Sequence, residues 1–386
     1  MHPARTSSIL AALTMAAAGP TDAQVTIRLT VPRNTPADAA VHIAGSFNGW
    51  NPAASDFRLT RNGEQYVITL PESVRGPIEF KFTLGSWDRV ETGVNGSNVD
   101  NRTYAVPAGA STFDATVVGW RSGPPAARKS TLSRNVTVVP DFAVPQLGGT
   151  RRVWVYLPPD YATSNRRYAV LYMHDGQNVF DDATSFAGEW GVDESLDSLH
   201  AAGDRGIIVV AVDHGGQQRM REYSPWQTRF GVGQGEAYID FLVETLKPWV
   251  DRTYRTLPDR AHTGIAGSSM GGLISFYGAL RHPEVFGRAG VFSPSFWIAP
   301  AAYEMAAKTA LPQDVRIYFV GGALEGADPE SYRRDQERMV ATLVERGLAR
   351  GTNVMATIVP TGKHSEWFWR REFPAAYQWL FNNKTK

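Results

Sequence analysis

Two kinds of hydrophobic pattern follow one another along the chain. From residue 24 to about 118, apolar and polar positions alternate in short runs, at 25–31, 40–45, 65–70, 78–84 and 112–117, separated by Gly, Pro and Asn. Alternation with period two buries one face of a strand, so these runs predict a small antiparallel β-sandwich. Beyond residue 136 the apolar runs are continuous, at 152–157, 169–173, 207–212, around Ile265, and at 289–292, 315–320 and 354–359. A strand apolar on both sides must be covered on both sides, which predicts a parallel sheet between layers of helices. Residues 119–130, rich in Gly, Pro, Ser and Arg, have the composition of a linker. The expected organisation is a β-sandwich at 24–118, a linker at 119–135 and an α/β domain at 136–386.

One of the continuous runs ends abruptly in Gly267-Ser268-Ser269-Met270-Gly271 and passes into the apolar stretch 273–280. This reads as strand, sharp turn, helix, with Gly267 and Gly271 giving clearance where strand and helix approach. Ser269 on that turn is the candidate nucleophile, and the context predicts an α/β-hydrolase fold behind a small immunoglobulin-like β-sandwich. The helix is expected to end near Arg281-His282-Pro283, since the residue before a proline avoids helical geometry. Its first N–H groups carry the positive end of the helix dipole, suited to an oxyanion. We assign the oxyanion hole to the backbone N–H groups of Met270 and of Gln177, the latter in the loop after the 169–173 strand. The cluster His174, Asp175, Asp181 and Asp182 lacks a paired-histidine spacing, so neither a metal nor another cofactor is expected. Acids and histidines downstream of Ser269 stand in the order such a hydrolase requires.

With 43% hydrophobic and 20% charged residues in 386, the chain has ample material for a core and length for two or three domains. Its net charge of +1, without a basic block, gives no reason to expect nucleic acid or an anionic membrane surface as partner. The absence of cysteine excludes disulfides, thiolate metal sites and a cysteine nucleophile. Residues 1–23 carry a positive start, a short apolar run at 9–18, and small residues at Thr21 and Ala23, the pattern of a secretory signal. No later segment is apolar enough to span a bilayer, so a secreted or periplasmic protein is expected. Nothing in the sequence bears on oligomeric state.

In the first domain, Gly45-Ser46-Phe47-Asn48-Gly49-Trp50-Asn51-Pro52, Phe80-Lys81-Phe82 and Gly85-Ser86-Trp87-Asp88 together resemble the glycogen- and starch-binding modules of the early-set type. That resemblance covers nearly the whole domain and implies a shallow sugar site lined by Trp50, Trp87 and Lys81. A flat indole suits the apolar face of a pyranose. The competing reading is a cap that docks on a catalytic domain. The stretch 88–102 departs from the simplest glycogen-binding pattern and is nearer the longer starch-binding version.

In the second domain, residues 174–182, Val212-Asp213-His214-Gly215-Gly216, Arg221-Glu222-Tyr223-Ser224-Pro225-Trp226, the serine turn and Phe292-Ser293-Pro294-Ser295-Phe296 resemble the esterase D/enterochelin esterase family. Carbohydrate esterases acting on feruloylated or acetylated xylan belong to the same group, and antigen 85-type acyltransferases are relatives. The likeness runs from about 136 to 380 and implies serine esterase chemistry through an acyl-enzyme. It places the general base at His364, in the loop after the last strand. It places the acid at Glu325, by the offset of the family's Gly-x-x-Glu phrase, with Asp328 as the alternative. The expected function is an exported serine carboxylesterase acting on an esterified polysaccharide or oligosaccharide of feruloyl or acetyl xylan type. Two alternatives stand beside it. One is hydrolysis of a catecholate siderophore ester, for which a basic cleft would be expected; the other is a non-catalytic carbohydrate-binding protein, against which the presence of both Ser269 and His364 argues.

Overall fold

The computed structural model describes residues 24–123, 128–326 and 328–381; the expected secretory signal at 1–23 lies outside them. The chain divides into two compact units, one holding residues 52–121 with the chain before 48, the other holding 122–386 with residues 48–51.

The first unit is built from short strands in two main sheets. Thr60–Asn62, Gln65–Thr69, Val25–Thr30 and Ser111–Thr116 form one, and His42–Gly45, Gly76–Thr83 and Arg102–Val106 form the other. Their inward positions, among them Ile27, Leu29, Ile43, Phe80 and Phe82, make one apolar core. Not every pairing is antiparallel: Val25–Thr30 lies parallel to Ser111–Thr116, because the chain crosses from the second sheet back to the first and arrives beside the strand it began with. Gly119–Trp120 pairs with Glu91–Thr92, and the Trp120 indole N–H donates to Thr35 Oγ1 at 2.8 Å. The start of the expected linker is thus a strand of this unit. Its end belongs to the other unit, where Ser130 Oγ and the Thr131 N–H donate to Asp181 and the Ser133 N–H donates to Asp193. Small polar residues that read as linker here bond to two buried acidic side chains.

The second unit contains an eight-stranded sheet of β1 (Val136–Ala143), β2 (Thr150–Tyr156), β3 (Val170–His174), β4 (Ile208–Val212), β5 (Thr263–Ser268), β6 (Arg288–Phe292), β7 (Arg316–Gly322) and β8 (Val354–Val359). The order is β1-β2-β4-β3-β5-β6-β7-β8. The pairs β1–β2 and β2–β4 are antiparallel and the rest parallel. Every residue of β3, β4, β5 and β6 is buried, which is why their apolar runs are continuous. Side chains alternate between two cores: Val170 and Tyr172 of β3 enter one, Leu171 and Met173 the other. The first core is closed by α2 (Met270–Arg281), the second by α1 (Val192–Ala201) and by α4 (Glu366–Phe381). Residues 270–280 are all buried, as expected of a helix that is apolar all round. It stops at Arg281, with His282 in non-helical geometry ahead of Pro283.

Strand β3 has β4 on one side and β5 on the other. At such a reversal the loops leave the carboxyl ends in opposite directions and open a crevice. The turn from β5 into α2 lies there, and its packing shows which glycines are obligatory. A Cβ on Gly267 would lie 2.9 Å from His174 Cδ2 and 3.0 Å from the Gly271 backbone. One on Gly272 would lie 2.7 Å from the Phe292 carbonyl oxygen. Gly271 was expected to be the second clearance residue, yet a Cβ there would meet nothing closer than 3.4 Å; the tight approach of α2 to β6 falls one residue later. Gly272→Ala is therefore expected to destabilise the fold by about 1–3 kcal/mol, since backbone must move. Gly271→Ala is expected to be near neutral, helped by the lower backbone entropy of alanine. Urea denaturation of the two variants checks this, and equal losses would contradict it.

Candidate active site

Ser269 joins β5 to α2 with φ 60° and ψ −120°, a conformation that a residue with a Cβ adopts only when its surroundings impose it. Three backbone hydrogen bonds do so. The Ser269 N–H donates to the Phe292 carbonyl at 2.9 Å, while its own carbonyl accepts from the N–H groups of Leu273 and Ser295, both at 3.1 Å. The hydroxyl is 3.3 Å from that of Ser295. Met270 is the first residue of α2, so its N–H has no acceptor within the helix.

Across the crevice, β3 ends in Asp175, which has φ 56°, followed by a tight turn at Gly176–Asn178. The Asn178 N–H makes that turn's first backbone bond, to the Asp175 carbonyl, so the Gln177 N–H precedes it. Both oxygens of Gln177 are tied down. Its carbonyl accepts from Thr184 Oγ1 at 2.7 Å and its side-chain oxygen from the His214 N–H at 3.4 Å.

Glu325, just beyond β7, is completely buried. Its Oε1 accepts from the Ser293 hydroxyl at 2.6 Å and from the Gly322 N–H at 2.5 Å, and its Oε2 lies 3.0 Å from His364 Nδ1. A carboxylate can only accept, so Nδ1 carries the proton and Nε2 is left as the basic nitrogen. The Trp369 indole N–H donates to Ser293 Oγ at 2.8 Å, and its ring stands edge-on to His364 at 5.1 Å and 86°. Asp328 is placed elsewhere. It caps α3 (Pro329–Glu345) by accepting from the Ser331 N–H at 3.1 Å, with Arg334 3.6 Å away. Of the two acids considered, the structure brings Glu325 to the histidine.

Ser293 and Trp369 were not singled out from the sequence. The signal for Ser293 was the phrase Phe292-Ser293-Pro294-Ser295-Phe296; nothing local marked Trp369, whose part depends on α4 folding back over β6. Also unmarked was Arg219, whose Nε and Nη2 donate to the two oxygens of Asp175 at 2.6 and 2.8 Å. Burial opposes ionisation of Asp175, but the charge and hydrogen bonds of Arg219 outweigh it and hold the carboxyl below the usual range. Burial drives His174 down to about 3, so it is a neutral ring whose Nδ1 lies 2.8 Å from the Tyr238 hydroxyl. Asp181 serves Ser130 and Thr131, and Asp182 pairs with Arg128 at 2.9 Å. Among the described residues no group of histidines and carboxylates is arranged to hold a metal ion.

The three residues of the expected sugar site have varied settings. Trp50 follows Gly49 in a turn where both have positive φ. Trp87 opens a short turn at Trp87–Arg89, and its carbonyl accepts from Arg121 at 3.2 Å. Lys81 lies on Gly76–Thr83 with its pKa lowered by burial, against the opposing charges of Glu91 and Asp100. Part of the unusual 88–102 stretch serves the fold: Glu91 is buried and held by Arg102 at 2.6 Å and by the Phe82 N–H at 2.9 Å.

A family model described as a putative esterase matches residues 145–380. An uncharacterised protein of Bacillus subtilis, YbbA, is 25% identical over 245 residues, 60% of this chain and 93% of that one. An iron(III) salmochelin esterase of Escherichia coli is 26% identical over 239 residues, 58% of this chain but 52% of the relative. A 98-residue stretch is 43% identical to an alpha-amylase of Niallia circulans, 25% of this chain and only 8% of that enzyme. Among solved structures, an enterobactin esterase from Shigella flexneri matches over 92% of each chain with a TM-score of 0.53 at 16% identity. A ferulic acid esterase matches over 64% of this chain and 98% of its own with a TM-score of 0.50 at 18% identity. At those identities the structural likeness is one of fold.

The two acids are separable by experiment. Glu325→Gln keeps the volume but cannot hold the protonated Nδ1 of His364 in the same way, and is expected to lower kcat for a small ester by at least about a hundredfold, by analogy with loss of a triad acid. Asp328→Asn is expected to leave kcat within threefold and to cost at most about 1 kcal/mol of stability as a changed helix cap. Steady-state kinetics with a melting curve on each variant decide; a larger kinetic loss in the Asp328 variant would reverse the assignment.

Proposed function

Because the chain belongs to the putative esterase family of carboxylic-ester hydrolases, we propose that it is an exported serine esterase that removes ester groups from a carbohydrate, of feruloyl or acetyl xylan type. The observation that carries the catalytic part is one short segment, 292–295, bonded to both halves of the site: Phe292 and Ser295 hold the Ser269 backbone, and Ser293 holds Glu325. His364 takes the proton from Ser269 as the hydroxyl attacks the ester carbonyl, and returns it to the leaving alcohol. The N–H groups of Gln177 and Met270 bind the oxyanion, a pair of donors each worth about 10²–10³ in rate in hydrolases of this kind. Water, deprotonated by His364, then attacks the acyl-enzyme, which releases the acid and frees Ser269. Glu325 stabilises the imidazolium in both steps.

The carbohydrate part rests on the first unit and on the alpha-amylase relative, whose matching stretch is close to that unit in length. Trp87 and Lys81 of that unit would hold polymer while the second unit hydrolyses its esters. Export rests on the signal-like pattern at 1–23, and no helix among the described residues is long and apolar enough to cross a membrane.

A second reading, hydrolysis of an anionic siderophore ester, is favoured by Arg229. Its guanidinium lies 4.9 Å over the Trp297 ring and 5.1 Å over Phe230, two residues along the chain from Ser295 at Trp297. Burial lowers its pKa. Among the described residues, no carboxylate lies within ion-pair distance of it. A cation held against two rings without a counter-charge suits an anionic or aromatic group on the substrate.

Ser269→Ala and His364→Ala are each expected to reduce ester hydrolysis at least about a thousandfold at unchanged melting temperature. Activity within tenfold of wild type in either would remove the triad. Wild type is expected to release acyl groups from acetylated xylan or methyl ferulate faster than it opens a catecholate trilactone. The opposite ranking, lost in Arg229→Ala, would establish the second reading. Replacing both Trp50 and Trp87 by alanine is expected to abolish pull-down on starch or xylan, each stacking contact contributing about 1 kcal/mol, and to leave hydrolysis of a soluble ester unchanged. If wild type binds neither polymer, the first unit has no sugar-binding role.

A further inference from the structure

Asp175 precedes by two residues the Gln177 N–H assigned to the oxyanion hole, and it does more than turn the chain. Its φ is 56°. Its N–H donates to the Tyr223 hydroxyl at 3.1 Å, and both its carboxylate oxygens are taken by Arg219. A Cβ placed on Gly271 would come within 3.4 Å of Asp175 Oδ2, so the carboxylate lies against the second residue of α2, beside Met270. The Arg219 guanidinium in turn lies 5.1 Å over the Tyr223 ring. One ion pair therefore touches the two elements that supply the two oxyanion donors.

We propose that the Asp175–Arg219 pair is the positioning device of the oxyanion hole, holding the Gln177 turn against the start of α2 and cancelling a negative charge that would otherwise stand beside the developing oxyanion. The inference rests on the esterase reading above. A bidentate guanidinium–carboxylate pair fixes direction as well as distance, which a turn with a residue at positive φ needs. The charge argument is as direct. An unpaired carboxylate this close to an oxyanion would raise its energy in a site of low dielectric; Arg219 makes the pair neutral overall. The other groups that act on Asp175 or Arg219 do not replace that cation. His174 is neutral, Tyr223 and Tyr238 are held above the usual phenol range by burial, burial pushes His214 down, and burial raises Glu366, which lies two residues past His364.

The test uses the full chain and p-nitrophenyl acetate, with a melting curve on every variant. Arg219→Met is expected to lower kcat by about tenfold to a hundredfold with KM within threefold, and Arg219→Lys to recover part of the loss. In R219M the carboxyl of Asp175 loses its stabilising cation, so it is neutral at low pH and charged at high pH. The ratio of R219M to wild-type kcat is accordingly expected to fall as pH rises from 5 to 8. The double variant D175N/R219M should abolish that fall and exceed R219M severalfold at pH 8. Should R219M not fold, R219K and D175N carry the same kinetic comparison. Folded variants with wild-type kcat, or a pH-independent ratio with no recovery in the double variant, would reduce the pair to a structural salt bridge and overturn the proposal. A wild-type protein inactive on this ester and on those named above would instead overturn the esterase reading, and this inference with it.

Discussion

A carboxylate with no exposure to water has to be satisfied by the protein alone, and Glu325 is satisfied by three groups from three stretches of chain. The Gly322 N–H comes from the end of β7, the Ser293 hydroxyl from the end of β6, and the His364 ring from the loop after β8. None of these is replaceable without leaving a buried acceptor short, at a cost on the order of 1–3 kcal/mol. The histidine loop and the carboxyl ends of three adjacent strands are thus held in register by one side chain. Trp369 extends the hold to α4 through the same Ser293 hydroxyl.

The sheet makes that convergence cheap to achieve. Parallel strands deliver their carboxyl ends to one edge, so loops after β3, β5, β6, β7 and β8 meet although their residues span positions 174 to 369. The backbone conformation of Ser269 is maintained by Phe292 and Ser295, which are also neighbours of Ser293. Positive φ recurs at the places where these loops must turn sharply while carrying a side chain, at Asp175, Ser269 and Ser293. Each is locked by hydrogen bonds or ion pairs from another element, as strained positions must be to persist.

The first unit follows a different logic. Its longer strands are half-buried with core residues at alternate positions, and its charged 88–102 stretch divides between fold and surface, with Arg102 reaching in to the buried Glu91. Charges that looked like a binding pattern can equally be the buried ion pair of a small sandwich, and the contact partners decide which.

Periodicity by itself determined the two architectures here, because burial on one face and burial on two leave different marks on a strand. It also located the sharp turn at Ser269, since a strand, two small residues and an apolar helix have to meet there. The proposed acid and base, Glu325 and His364, were named through family-like phrases in their own loops, and the proposed oxyanion donors, Gln177 and Met270, through their places after one strand and at the start of a helix. Choosing Glu325 over Asp328 required the fold, because three residues along the chain separate a carboxylate pointing to a histidine from one capping a helix. Gly272 in place of Gly271 as the tight glycine, and the parts played by Ser293, Trp369 and Arg219, were decided only by tertiary structure. Their partners lie tens of residues away, and a hydrogen bond or a steric limit of that range leaves no local trace in hydrophobicity, spacing or charge.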